Sequence, residues 1–183
     1  MRLLGALLAC LLACAAARSE ELELAASADP SGSVAVNAGI TGVDRQRLLS
    51  SLAEGLEASV TFEFRLYRRT TGLRALLGDR VVAQLRVQRQ ASMDFLDGRY
   101  ILLDVGGEIR RHAAVEDFVQ DFLTVRSLRL AWPADPGTYL IARARVEYVR
   151  LQAPLHIVTL FRPTSSVTAW RRVEIAGAGG RQP

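Results

Sequence analysis

Histidines and acidic side chains are the residue types of this chain that could do chemistry, but their spacing assembles no catalytic set. The two histidines, His112 and His156, have no carboxylate or cysteine at a spacing that defines a metal site. Asp94, Asp97 and Asp104 flank a predicted hairpin, whereas a calcium loop needs more oxygen ligands at closer spacing. We therefore expect no enzyme activity and no metal or other cofactor.

The remaining reactive groups have ordinary structural explanations. Glu116, Asp117 and Asp121 fall on the polar side of a predicted helix, whereas a carboxylate pair for acid–base catalysis needs at least one buried member. Ser165 and Ser166 lack the Gly-x-Ser-x-Gly context of a hydrolase nucleophile. These patterns favour a protein that binds rather than one that catalyses.

Arginines on the polar faces of predicted strands form the first candidate binding surface. Arg65 alternates with apolar residues in one strand, Arg143 and Arg145 do so in another, and Arg171 and Arg172 lie in the last. If these strands are neighbours, their guanidinium groups share a face that can pair with phosphate or carboxylate groups. The alternative is solubilising charge that nearby glutamates balance.

Three leucines in one connection form the second candidate surface. Leu73, Leu76 and Leu77 lie within one helical turn and are flanked by arginines. An apolar turn of this kind could dock on a membrane surface or on a partner protein. The alternative is a small cap packed on the edge of the sheet.

The elements that position these residues are mostly β-strands. Residues 59–69 alternate strictly, with Val60, Phe62, Phe64 and Leu66 on one side, which predicts a half-buried strand. The same kind of pattern predicts strands over residues 21–26, 33–38, 81–90, 91–96, 99–105, 139–151, 155–161 and 166–175.

A tight turn and two helices complete the predicted elements. Asp97-Gly98 between apolar residues predicts a type I′ turn, in which both residues have positive φ. Leucines with helical spacing after Thr41-Gly42-Val43-Asp44, which resembles a capping box, predict a helix over residues 43–57. A second amphipathic pattern predicts a helix over residues 113–123. The predicted fold class is α+β, mainly β: an antiparallel curved sheet or β-sandwich with two short amphipathic helices.

The N-terminal segment predicts export. Arg2 precedes an uncharged apolar run, the pattern of a secretory signal, and we place the signal peptide at residues 1–17. Cleavage after Ala15-Ala16-Ala17 would release a periplasmic protein. Leu11-Leu12-Ala13-Cys14 resembles a lipobox, and processing there would leave a lipid anchor on Cys14. A third alternative is an uncleaved signal that retains the protein at the inner membrane.

The length of the chain indicates the number of domains, and its charge limits the class of partner. A chain of 183 residues, half of them hydrophobic, predicts a single domain, which we place at residues 18–175, before a disordered glycine-rich tail at residues 176–183. All 23 basic residues are arginine, but the formal net charge is only +4. Because nucleic-acid binding needs a clustered basic face, we expect no nucleic-acid partner, and instead a membrane protein or an anionic component of the cell envelope.

Several of these features together resemble one family of bacterial exported proteins. They are the strand Phe62-Glu63-Phe64-Arg65-Leu66-Tyr67-Arg68-Arg69, the Asp97-Gly98-Arg99-Tyr100 turn, the helix at residues 115–122, the Pro154-Leu155 strand and Ser166-Val167-Thr168-Ala169-Trp170. Over residues 20–175 the chain resembles the DUF4390 family, a domain of unknown function, so the resemblance implies no catalytic residues. In several proteobacteria, similar genes lie beside a nitrogen-regulator-type histidine kinase that senses the envelope, which implies an association with such a sensor.

The sequence therefore predicts an exported, non-enzymatic binding or interaction module associated with an envelope-sensing histidine kinase system. The alternative is an envelope hydrolase or a small-ligand carrier whose site has no recognisable signature. A deep polar cleft that joins His156 to a buried carboxylate would favour that alternative.

Overall fold

Two antiparallel sheets and two helices make up residues 20–29, 31–150 and 165–177, the part of the chain that the computed structural model describes. The helices are α1 (Arg45–Ala53) and α2 (Val115–Leu123), and a 3₁₀ helix spans Gly72–Leu77. The predicted mainly β, α+β fold is confirmed. The strands are β1 (Glu21–Ala28), β2 (Val34–Thr41), β3 (Glu57–Arg68), β4 (Arg80–Asp94), β5 (Arg99–Leu103), β6 (Ile109–His112), β7 (Thr124–Leu130), β8 (Thr138–Arg150), β9 (Ser165–Val167) and β10 (Arg171–Glu174).

The larger sheet has the strand order β10-β8-β3-β4-β5-β6, with β9 also paired to β8, and the smaller sheet has the order β1-β2-β7. The sheets meet at Ala176, whose carbonyl accepts from the Ala28 N–H at 2.8 Å and whose N–H donates to the Ala26 carbonyl at 3.1 Å. The sequence places Ala176 in a disordered tail, but these two hydrogen bonds hold it against β1. Residues 178–183 of that tail lie outside the described residues.

The apolar face of β3 lies in the core between the sheets. Phe62 and Phe64 are fully buried and stack with ring centroids 6.3 Å apart. Their cross-strand partners on β8 are the small residues Ala144 and Ala142. This complementarity of size lets two large rings sit side by side on the central strand. The face assignment that alternation predicted for this strand is confirmed.

Helix α1 is shorter than the predicted span of residues 43–57, and its start differs. Asp44 is the N-cap, and its carboxylate accepts a hydrogen bond from the Arg47 N–H at 3.0 Å. Thr41 ends β2 instead of capping the helix. The capping-box prediction is wrong because a short acidic side chain directly before the helix already satisfies a free amide. The helix buries Leu48 and Leu52, as their spacing predicted.

The β4–β5 hairpin is present, but its turn is not the predicted type I′. Residues 95–98 separate the two strands, and of the Asp97-Gly98 pair only Gly98 has a positive φ, 63°. The Asp94 carboxylate accepts from the N–H groups of Leu96 at 3.0 Å and Asp97 at 3.4 Å. This pairing between side chain and backbone stabilises a longer turn than the dipeptide alone predicts.

Other strands differ from the predicted pattern in number and length. The predicted strands at residues 81–90 and 91–96 form the single strand β4, and residues 168–170 divide the predicted last strand into β9 and β10. Alternation predicts no strand for β7 because Ser127 has a positive φ of 52° and the pairing with β2 shifts register there. It also predicts no strand for β6. The signal peptide at residues 1–17, with Cys14, and the strand at residues 155–161 lie outside the described residues.

Candidate functional site

The predicted arginine face forms on the outer surface of the larger sheet. Strands β3 and β8 are neighbours, and their register places Glu63 opposite Arg143. Arg145 follows on β8, Arg65 follows on β3, and Arg86 of β4 lies opposite Glu63 on its other side. The strand adjacency on which this face depends is therefore confirmed.

Glu63 holds two of these arginines together. Its carboxylate accepts from Nε of Arg65 at 3.0 Å and from Nε of Arg143 at 2.9 Å. The Glu63 side chain is only 12% exposed. Burial acts to raise the pKa of Glu63, but the hydrogen bonds and charges of Arg65 and Arg143 outweigh it and hold this pKa below its ordinary value of 4.5. Glu63 is therefore an anion at neutral pH, engaged with two cations.

Trp170 packs against the same two guanidinium groups. Cζ of Arg65 lies 4.6 Å and Cζ of Arg143 lies 4.4 Å from the centroid of the Trp170 ring, which are cation–π distances. Trp170 lies between β9 and β10, where Thr168 replaces regular strand pairing with two contacts to Ala144. The Thr168 N–H donates to the Ala144 carbonyl, and the Thr168 hydroxyl accepts from the Ala144 N–H, both at 2.9 Å. Residue spacing did not predict this tryptophan contact.

Arg86 and Arg145 are free cations on this face. Both side chains are exposed, and neither guanidinium group makes a hydrogen bond or ion pair with the described residues. With Arg143, Thr61 and Gln88 they line a concave region of about 270 Å³. An anion in this region would meet the guanidinium groups of Arg86 and Arg145, which form no ion pair with the described residues.

The carboxylates that line the concave region already have partners. Glu147 accepts a hydrogen bond from the Ser59 hydroxyl at 2.9 Å, and Glu63 holds two arginines. Three arginines and two glutamates line the region, so it keeps a net positive charge. The name arginine face is used below for the four arginines of this surface, Arg65, Arg86, Arg143 and Arg145, and for Glu63 and Trp170, which hold two of them.

The two arginines of the last strand do not belong to this concave region. Cζ of Arg172 lies 3.6 Å from the centroid of the Tyr139 ring, and Arg171 forms a long ion pair of 3.4 Å with Glu21 of β1. The Tyr139 hydroxyl donates to Asp79 at 2.7 Å. Burial and this hydrogen bond raise the pKa of Tyr139 to about 12. These arginines are therefore structural partners of neighbouring elements.

The predicted leucine surface is described in part. Leu76 lies in the 3₁₀ helix and is 88% exposed. The side chains of Leu73 and Leu77 lie outside the described part of the chain. An exposed Leu76 is what a docking turn requires, and docking itself stays a prediction.

Asp104 and Asp121 form an ion cluster with two arginines, and His112 lies beside it. His112 ends β6, and its Nε2 lies 3.1 Å from Oδ2 of Asp121. Arg110 binds Asp121 at 2.6 Å and Asp104 at 2.7 Å. Among the described residues, no three or more His, Cys, Asp or Glu side chains are placed to hold a metal ion. His156 lies outside those residues.

Arg89 is a buried member of this ion cluster that the sequence analysis did not single out. It is 7% exposed, and it donates to the carbonyl of Asp121 at 2.7 Å and to the carbonyl of Thr124, both at the C-terminal end of α2. Its Nη2 lies 3.3 Å from Oδ2 of Asp104. A signal was available, because the alternation at residues 81–87 continues to position 89 and places this arginine on the buried face.

A second concave region, of about 580 Å³, lies beside Tyr148 and the start of β1. The Tyr148 hydroxyl donates to Glu20, and the other carboxylate oxygen of Glu20 is buried with no hydrogen-bond partner among the described residues. Burial, followed by this hydrogen bond, raises the pKa of Tyr148. Leu22, Val167 and Trp170 add apolar surface. The volume lies within the range of small-molecule sites.

The fold and the arginine face define a mainly β, α+β domain with a cationic concave surface on its larger sheet. The chain belongs to the family described as a domain of unknown function (DUF4390), whose model matches residues 16–174. The resemblance seen in the sequence is thereby confirmed. No curated protein and no solved structure matches the chain. Within the described residues, no helix combines the length and hydrophobicity that crossing a bilayer requires.

Proposed function

We propose that this protein is an exported, non-enzymatic binding module whose arginine face takes a phosphate- or carboxylate-bearing component of the cell envelope. The observation that carries the proposal is a pair of exposed arginines, Arg86 and Arg145, on opposite sides of β3, whose guanidinium groups have no partner among the described residues. Hydrogen bonds from guanidinium to phosphate or carboxylate are about twice as strong as neutral ones.

The neighbouring groups support this proposal because they order the site before a ligand arrives. Glu63 and Trp170 fix Arg65 and Arg143, so these side chains lose little additional freedom on binding. Glu63 also neutralises one of their two charges, so attraction for an anion comes mainly from Arg86 and Arg145. The proposed site thus combines two ordered arginines, Arg65 and Arg143, with two cations, Arg86 and Arg145, that are available to the ligand.

The proposed location is the periplasm, on the strength of the apolar segment at residues 1–17. An envelope-sensing histidine kinase, the context that the family resemblance implies, is the proposed functional neighbour. Anionic headgroups and phosphorylated sugars are the envelope chemistry that a guanidinium pair would recognise.

Trp170 provides a direct test of anion binding. The chain has two tryptophans, so a Trp132→Phe background leaves Trp170 as the sole fluorophore, beside the site. Titration with inorganic pyrophosphate is expected to change its fluorescence, and Arg86→Gln and Arg145→Gln are each expected to weaken binding about tenfold, the loss of one charged hydrogen bond. Vesicles with and without phosphatidylglycerol then separate a lipid headgroup from a free phosphate as the source of the anion.

Arg126→Gln is the matched control for these variants. Arg126 is an exposed arginine of β7, on the smaller sheet, so its loss changes the net charge equally and leaves the arginine face intact. Pyrophosphate affinity should equal that of the parent. If the Arg86→Gln/Arg145→Gln double variant binds as tightly as Arg126→Gln, the arginine face is not the anion site.

The concave region beside Tyr148 favours a second candidate function, a carrier for a small amine-bearing ligand. The buried Glu20 oxygen that has no partner within the described part of the chain can accept a hydrogen bond, and Trp170 and Leu22 can cover an apolar body. Phenethylamine is expected to raise the melting temperature of the parent protein and not that of Glu20→Gln. Equal shifts in the two proteins would contradict the carrier function.

A further inference from the structure

Strand β4 has an open edge over most of its length. Its residues from Arg80 to Ala91 pair with β3, but β5 pairs with β4 only from Gln90 to Asp94. Over residues 80–89, the backbone groups that point away from β3 therefore have no strand partner among the described residues. An unpaired edge of this length is a template for the addition of another strand.

Three large apolar side chains along this edge are partly exposed. Val81 is 43% exposed, and Val82 and Leu85 are each 37% exposed. A concave region of about 410 Å³, lined by Val81, Val82, Thr70 and two arginines, lies beside the start of the strand. The 3₁₀ helix with the exposed Leu76 leads directly into this edge. Backbone groups, exposed apolar side chains and a depression for an incoming side chain thus occur together.

The charge of the edge indicates what would cover it. Arg80 and Arg86 are exposed and make no ion pair with the described residues. Arg80 also lies directly opposite Arg68 on β3, although Arg68 has its own partner in Asp135. Like charges opposite each other on a sheet are unfavourable, and a carboxylate placed between them relieves this repulsion.

A second copy of the chain fits this edge poorly. Residues 80–88 contain two arginines and no acidic residue, so two β4 edges would bring four cations to one interface without a carboxylate from either edge strand. An acidic segment has the opposite property. The register shift in β4 puts Arg86 on the face of Glu63 and Arg80 on the face of Arg68, so a carboxylate on the outer face would meet Arg86 and one at the end of the segment would meet Arg80. Charge complementarity therefore favours a different, acidic chain.

We propose that residues 80–88 of β4 bind an extended acidic segment of a partner protein by strand addition. The segment would pair its backbone with the open edge and direct apolar side chains to Leu85 and carboxylates to Arg86, which lie on opposite faces of the sheet, with a further carboxylate at its end near Arg80. Arg86 also belongs to the arginine face, but this interface depends on backbone pairing, which the proposed anion site does not use.

The probe is a synthetic peptide of about eight residues that alternates valine and glutamate, long enough to span the edge when extended. In amide NMR spectra of the full chain, it is expected to shift residues 80–88 and to slow the hydrogen exchange of their outward amides. The same peptide with N-methyl groups on alternate residues keeps its charge but cannot pair on that side. It is expected to bind at least tenfold more weakly, and equal binding of the two peptides overturns strand addition.

Charged substitutions on the edge provide the second arm of the test. Val82→Lys with Leu85→Lys is expected to weaken peptide binding at least tenfold, because lysines on an edge strand oppose the docking of another strand. Both positions are partly exposed, so the variant is expected to fold, and its thermal melt is the check. Ile109→Lys, on the short edge strand β6, is the matched control and should bind like the parent.

Arg145→Gln separates this inference from the proposed anion site. It removes a free cation of the arginine face but does not touch the β4 edge, so peptide binding should persist. If Arg145→Gln abolishes peptide binding and the NMR shifts fall on Thr61 and Glu147 and not on residues 80–87, the peptide occupies the arginine face and the edge proposal is wrong. If pyrophosphate binds but the peptide does not, strand addition is wrong and the proposed function still stands. Arg80 and Arg86 then serve only to prevent the edge from pairing with other strands.

Discussion

Phe64→Asp is expected to unfold the domain. Phe64 is fully buried on the central strand and stacks on Phe62. Loss of the ring costs about 3–5 kcal/mol, and burial of a carboxylate among apolar side chains adds to that cost. The sum approaches the whole stability of a typical domain, about 5–15 kcal/mol. Circular dichroism should show a greatly lowered melting temperature or no cooperative transition.

Gln84→Asp is the matched control, because it adds the same charge to the opposite face of the sheet. Gln84 is exposed and lies opposite Arg65, so the expected change in unfolding free energy is within about 0.5 kcal/mol. Equal melting temperatures for the two variants would mean that the faces of the sheet are assigned wrongly. Glu63→Gln is unsuitable as this control, since Glu63 is largely buried between two arginines.

Alternation predicts the faces of strands well because one face of each long strand is buried. It placed Phe62 and Phe64 in the core, and it placed Arg65, Arg143 and Arg145 on the outer surface. The side-chain period of a strand is two, so a single buried residue fixes the orientation of all the others. The fold class follows from the same patterns.

Alternation does not predict which strands are neighbours. Glu63 and Arg143 are far apart in sequence, and only the β3–β8 pairing brings their side chains to 2.9 Å. Trp170 reaches the arginines because the chain departs from strand geometry at residues 168–170. Strand β7 is invisible to alternation because the backbone at Ser127 shifts its phase. Contacts that depend on long-range pairing or on local irregularity leave no periodic signal.

The ion cluster around Arg89 illustrates a signal that was present but ambiguous. Period two places Arg89 on the buried face after Val87, yet a charged residue at such a position usually indicates that the strand is leaving the core. The structure resolves the ambiguity through partners that are distant in sequence, the end of α2 and Asp104. A buried arginine is stable there because a carboxylate and two carbonyl groups replace its water.

Arg89→Met is expected to destabilise the domain by about 3–5 kcal/mol, the cost of removing one partner from a buried ionic network. Methionine fills much of the same volume but leaves the carbonyls of Asp121 and Thr124 without this donor and removes one of the two guanidinium groups that bind Asp104. Urea denaturation at about pH 7 measures the loss. Arg86→Met, on the exposed face of the same strand, is the control and should change stability by less than about 0.5 kcal/mol.

The pH dependence of unfolding tests the same network through Asp104. Burial acts to raise the pKa of Asp104, but the Val105 N–H and the charges of Arg89 and Arg110 outweigh it and hold this pKa below its ordinary value of 3.8. A lowered folded pKa contributes stability that is present above the unfolded value and is lost as pH falls through the folded value. Without Arg89, burial is opposed less, so the pKa of Asp104 rises. The parent should therefore lose more stability than Arg89→Met as pH falls from about pH 5 to pH 2, so the difference between the urea midpoints of the two proteins should narrow over that range. Parallel pH profiles for the two proteins would show that Arg89 does not stabilise the Asp104 carboxylate.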